Sequence, residues 1–162
     1  MKYLIVLFFC LFSYIGLSQE KITTVTHNTI SLTTADSLLN EVIERAEKKG
    51  FSLVAAVVDR NGDLIGLKRM DNSAIGPIDV AIKTARTAAL FQMHSLDFGE
   101  LAKPDAPIYT IENTNGGMIS FGGGVKLMHK GDLIGALGVA GATVEEDDII
   151  AKEAVKALNL TK

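Results

Sequence analysis

Apolar residues recur at three- and four-residue steps through Ala35, Leu38, Leu39, Val42, Ile43 and Ala46. That spacing places one face of an α-helix against a core. Thr33 or Thr34 is the expected N-cap. Gly50 is the expected C-terminal stop, and Lys48 and Lys49 before it suit the negative end of the helix dipole. The pattern then changes. Residues 51–59 are nearly all apolar and predict a buried strand. Arg60-Asn61-Gly62-Asp63 predicts a tight turn, and residues 64–70 the returning strand. After a loop at 71–76, Pro77 sits at a first-turn position. Ile78, Ala81, Ile82, Ala85, Ala88 and Ala89 then mark a second helix over 78–92. Its face is made mostly of small residues, which predicts close approach to its neighbour. Residues 95–101 read as a short helix, and 103–113, with two prolines, as a loop. Three further strands are expected at 118–121, 125–129 and 133–140. Thr143-Val144-Glu145-Glu146 has the form of a capping box. It opens a last helix whose apolar side is Ile149, Ile150, Ala154, Val155 and Leu158.

The order is helix, two strands, helix, three strands, helix, with short turns between paired strands. This predicts an α+β fold, a three-layer sandwich whose largely antiparallel sheet is flanked by helices.

The N-terminus stands apart. Lys2, the apolar stretch 4–15 and the small residues of Gly16-Leu17-Ser18 form the pattern of a cleaved secretory signal over 1–18. The apolar stretch is too short to span a bilayer comfortably. Residues 19–31 are polar and threonine-rich and read as a flexible lead-in, leaving 32–162 as the domain. The expected location is secreted or periplasmic, with no membrane attachment after cleavage. Removing the leader also removes Cys10, the one cysteine, so neither a disulfide nor a thiolate nucleophile is available to the mature chain. The formal charge of −3 becomes −4 without Lys2. An acidic, mixed surface with few aromatic residues makes nucleic acid a poor partner.

Nine of the 15 glycines lie between Gly116 and Gly141. Glycine is needed where φ is positive or where another backbone or a ligand comes close. Gly135, Gly138 and Gly141 repeat every three residues, but no strand follows the last helix, so a dinucleotide fingerprint does not apply. Close helix packing over a glycine-lined strand explains them. Asn115-Gly116-Gly117 and Gly122-Gly123-Gly124 can instead form anion-binding backbone nests, or serve as tight turns between strands.

Three ordered motifs carry a resemblance. The segment from Ile78 to Ala89 is similar to the second-helix motif of the GlcG/HbpS family. Thr114-Asn115-Gly116-Gly117 with Phe121-Gly122-Gly123-Gly124 resembles its central signature, and the stretch from Gly135 to Gly141 followed by Glu146-Asp147 its closing motif. The family includes extracellular haem-binding proteins and the C-terminal domain of PduO-type cobalamin adenosyltransferases. The resemblance implies a profilin-like fold with a five-stranded antiparallel sheet, a homo-oligomer, and haem or a related tetrapyrrole as ligand and candidate cofactor.

Lys83, near the edge of the second helix's apolar face, is the candidate cation for an anionic group such as a propionate; otherwise it is a snorkelling surface lysine. Asn115, Gly116, Gly117, Phe121, Gly122, Gly123 and Gly124 complete the candidate ligand-binding set. Of the histidines, His27 and His129 read as surface residues, and His94, just after the second helix, is the candidate metal ligand. Met70, Met93, Met118, Met128 and Tyr109 are further candidate axial ligands. The acidic run 145–148 complements the last helix's dipole. The leading functional expectation is a secreted small-ligand-binding protein that takes haem or a related tetrapyrrole. The alternatives are an enzyme acting on a small anionic metabolite and a self-assembling structural domain.

Overall fold

The computed structural model describes residues 22–162. The expected leader, 1–18, and the first three residues of the lead-in lie outside the described residues. The lead-in ends in a tether: Ile30 is buried, and its N–H donates to the Ile134 carbonyl at 2.8 Å.

Helix α1 (Leu32–Lys49) buries Ala35, Leu38, Leu39, Val42 and Ala46, as the periodicity predicts. Its N-cap is Ser31 rather than Thr33 or Thr34: the Ser31 hydroxyl accepts from the Thr34 N–H at 3.2 Å. Gly50 closes it at φ 76°, the left-handed region that glycine occupies without penalty. Strands β1 (Val54–Asp59) and β2 (Leu64–Arg69) form the expected hairpin. Helix α2 (Pro77–Phe91) and the short α3 (Ser95–Ala102) follow. A single 3₁₀ turn, Ile111–Asn113, interrupts the long loop. Strands β3 (Gly124–His129) and β4 (Asp132–Ala140) precede α4 (Val144–Ala157). Thr143 caps α4 by accepting from the Glu146 N–H. The second half of the expected capping box is replaced, because the Glu146 carboxylate pairs with Lys49 at 2.8 Å.

The sheet is antiparallel throughout, in the order β2-β1-β4-β3. Ala55, Val57, Val125, Leu127, Leu137 and Val139 face α1 and α4, whose apolar sides complete the larger core. Val54, Ala56, Val58, Ala136 and Ala140 face α2. The result is the expected three-layer α+β sandwich.

The sheet has four strands, not five. Residues 118–121, mostly apolar, do not pair as a strand. The Met118 N–H donates to the Glu112 carbonyl at 2.8 Å, and the Ile119 N–H to the Thr87 hydroxyl on α2 at 3.0 Å. Their hydrogen-bonding demand is met by a loop and a helix side chain, so the segment crosses α2 and α3. A short apolar run has the same sequence signature in either setting.

Gly124 and Gly138 lie opposite one another on β3 and β4, and α2 rests on the flat patch they make. A Cβ at Gly138 would lie 2.0 Å from the Ala81 carbonyl oxygen; one at Gly124 would lie 2.3 Å from that of Thr84. This is the close packing expected of the small-residue helix.

Candidate functional site

The exposed side of α2 carries the arrangement best suited to a ligand. Lys83 is partly exposed and pairs with Asp79 one turn earlier, Nζ to Oδ2 2.8 Å. The loop 115–117 lies over the Lys83 side chain: a Cβ at Gly117 would be 3.4 Å from Nζ. Asn115, Gly116 and Gly117 take φ values of 53°, 77° and 97°, three left-handed residues in succession. A glycine-rich sequence is needed for this turn. The Gly117 N–H donates to the Thr114 carbonyl at 2.9 Å, whereas the N–H groups of Asn115 and Gly116 have no partner among the described residues. The sequence-predicted Lys83 and Gly117 are therefore neighbours, and the exposed Asn115 and Gly116 precede Gly117 in the same turn.

Val80 sits one turn before Lys83 on the same helix face. From there an open groove of about 350 Å³ runs between the starts of α2 and α4, lined by Pro77, Val80, Phe121, Ala140 and Val144. Phe121 and Val144 are 40% and 38% exposed and present apolar surface to this groove. The candidate Phe121 thus belongs to an apolar wall.

Gly122, Gly123 and Gly124 behave differently, and the anion nest expected there is corrected. All three are buried. The Gly124 N–H donates to the Ser95 hydroxyl at 2.8 Å, and the Gly123 N–H to Asp148 Oδ1 at 3.5 Å. A Cβ at Gly123 would lie 2.4 Å from the Val139 carbonyl oxygen. These glycines serve close packing, and the bonded amides of Gly123 and Gly124 are not free to receive a ligand.

Asp147, in the sequence a first-turn acid and part of the closing motif, does more. Its carboxylate is buried and accepts from the N–H groups of Gly141 and Ala142, each at 3.1 Å. Burial pushes its pKa up, and the two backbone donors oppose that. It fixes the turn that forms the lower wall of the groove. Nothing in the local sequence marks this role, because the partners belong to the preceding loop.

The structure does not bring His94 to the Lys83 face. It lines a separate pocket with Lys126, Lys152 and Lys156, which shares no residue with the groove. Its Nδ1 is buried without a hydrogen-bond partner. Among the described residues no group of three or more His, Cys, Asp or Glu side chains converges as a metal cluster. Of the other candidate axial ligands, Met118 is buried and Tyr109 exposed. Burial holds the His94 pKa below the ordinary 6.5; Lys152 and Lys126 act in the same direction, and Asp97 and Asp148 oppose them. The unfolded chain therefore takes up a proton that the folded chain resists. Stability conferred by this group is present above pH 6.5 and is lost as pH falls through the depressed folded value. Urea unfolding at a series of pH values between 5 and 7.5 is expected to show this loss, and His94→Gln to flatten the slope.

With this geometry in place, comparison with known proteins is decisive about kinship. The family model described as "Haem degrading protein HbpS-like" matches residues 30–156. The chain belongs to the HbpS-like family. It is 31% identical over 128 residues to an uncharacterized 15.0 kDa protein of the dhaT-dhaS intergenic region of Citrobacter freundii, covering 78% of this chain and 90% of that protein. Among solved structures it is similar to Klebsiella pneumoniae protein ORFY, with a TM-score of 0.82 at 27% identity, over 87% of this chain and 98% of that one. It is also similar to PduOC in its heme complex, with a TM-score of 0.78 at 31% identity, over 82% and 96% of the two chains. The fold of this chain is therefore that of an HbpS-like domain.

Proposed function

We propose that this HbpS-like domain binds haem or a related tetrapyrrole along the exposed side of α2. The observation that carries the proposal is an apolar groove that includes Val80 with, one turn further along α2, a cation under the glycine loop. A tetrapyrrole is a flat apolar ring system with carboxylate arms, and the residues present match both parts. Val80, Phe121 and Val144 would contact the ring. Lys83, beside Gly117, would receive a carboxylate. A hydrogen bond to a charged partner contributes about 1.5–3 kcal/mol. Bound haem would supply a redox-active iron; the chain's own part is to hold the ring and to neutralise its charge. Kinship with a family described as haem degrading, and with a structure solved as a heme complex, supports this reading. The leader pattern supports export to a secreted or periplasmic location, and the family resemblance supports self-association.

Titration of the purified protein with hemin tests the proposal. A sharpened, red-shifted Soret band that saturates at one hemin per chain is the expected result. A spectrum that remains that of free hemin at micromolar protein would refute it.

A further inference from the structure

The outer edge of β3 leaves one backbone position unpaired among the described residues. In an antiparallel pair, successive residues turn their backbone groups alternately toward and away from the partner strand. The Val139 N–H donates to the Gly123 carbonyl at 2.9 Å, which sets the phase. Gly124, Lys126 and Met128 therefore point their N–H and C=O groups outward. The Gly124 N–H is taken by the Ser95 hydroxyl, and the Met128 N–H by the Leu160 carbonyl at 2.8 Å. The Lys126 backbone, between these two, has no partner among the described residues. The gap is one residue long, too short for an added strand.

This gap opens into a cleft of about 270 Å³. Val125, Met128 and Val155 give it an apolar floor, and Lys126, Lys152 and Lys156 surround it. Lys152 pairs with Asp148 at 2.6 Å, whereas Lys126 and Lys156 form no ion pair among the described residues. Asp97 and Asp148 are the carboxylates that act on His94, and Thr161 adds a polar residue to the lining. Asp148 is already engaged by Lys152 and the Gly123 N–H, so the free positive charge of Lys126 and Lys156 dominates the opening. His94 adds the unpartnered Nδ1. A bare phosphate would leave the apolar floor unused, and a neutral apolar molecule would leave the lysines and the Lys126 N–H unmatched.

We infer that this edge cleft binds a small organic carboxylate, with its anionic end at the Lys126 N–H and the Lys126 and Lys156 ammonium groups and a short apolar body on Val125, Met128 and Val155. The inference is independent of the tetrapyrrole proposal, since the two sites have no residue in common.

Backbone-amide and histidine shifts of the full chain, followed by NMR during titration with sodium hexanoate at constant ionic strength, test it. Sodium acetate and sodium phosphate serve as parallel arms. Saturable shifts centred on the Lys126 amide and the His94 ring are expected with hexanoate. Acetate should bind at least tenfold more weakly, and phosphate should not saturate there. Lys156→Gln alters one exposed helix residue and should weaken hexanoate binding severalfold; adding Lys126→Gln should bring the loss to tenfold or more. Equal binding by phosphate, a non-saturating hexanoate response, or unchanged affinity in the double variant would each overturn the inference. Hemin binding by the double variant should stay at the wild-type level, so a failure here is distinguishable from a failure of the tetrapyrrole reading.

Discussion

Gly138→Ala is expected to cost the protein about 3 kcal/mol or more, at the upper end for overpacked sites. The new methyl would stand 2.0 Å from the Ala81 carbonyl oxygen and 2.7 Å from the Ala85 nitrogen. Both are backbone atoms of α2, so no side-chain rotation can relieve the contact. Either the helix lifts from the sheet or β4 bends. Lifting the helix would uncover the cores formed with Val54, Ala56, Val58, Ala136 and Ala140. A domain of this kind has about 5–15 kcal/mol of total stability, so a loss of this size removes a large share of it. Urea unfolding measures the effect directly. Gly76→Ala is the control, because no atom lies within 4 Å of a Cβ there and its φ of −52° is ordinary; it should leave stability within about 0.5 kcal/mol of wild type. Equal stabilities for the two variants would show that α2 does not rest on the glycine pair.

Much of this packing was legible in the sequence because both partners announce it. Alanines at helical spacing in 78–92 and glycines inside an apolar strand ask for the same thing, a close contact between backbones. The hairpin at Asn61-Gly62 and the stop at Gly50 were readable for a similar reason: local conformation alone decides them. Residues 118–121 carry a strand-like pattern without pairing as one, because their partners are remote in sequence; the Thr87 hydroxyl that takes the Ile119 N–H is 32 residues away. The glycine triplet at 122–124 was assigned a ligand role because sequence cannot separate a glycine cleared for a ligand from one cleared for the chain itself. Asp148, Ser95 and the Val139 carbonyl occupy that space. Lys83 and the loop 115–117 could be nominated separately, but their contact depends on how the long loop returns over α2. His94 was placed with them by sequence proximity to the helix, whereas its side chain lines the β3 edge.

The tetrapyrrole proposal rests most heavily on Lys83. Its ammonium group lies beside Gly117, one helical turn beyond Val80 of the apolar groove. Asp79 pairs with it across a partly exposed surface, where such pairs contribute little, so a ligand carboxylate can compete for the lysine. Lys83→Gln keeps most of the stem and removes the charge; Lys83→Glu reverses it beside Asp79. Loss of a charged hydrogen bond at about 1.5–3 kcal/mol corresponds to roughly ten- to hundredfold in affinity. The neutral variant should fall near the lower figure and the reversed one near or beyond the upper. Neither change touches the core, so thermal melting of the unliganded variants should remain close to wild type. The decisive measurement is the hemin dissociation constant of wild type, Lys83→Gln and Lys83→Glu side by side. A graded loss in that order, with folding intact, is predicted; indistinguishable affinities across the three proteins would contradict the assignment of this face as the binding site.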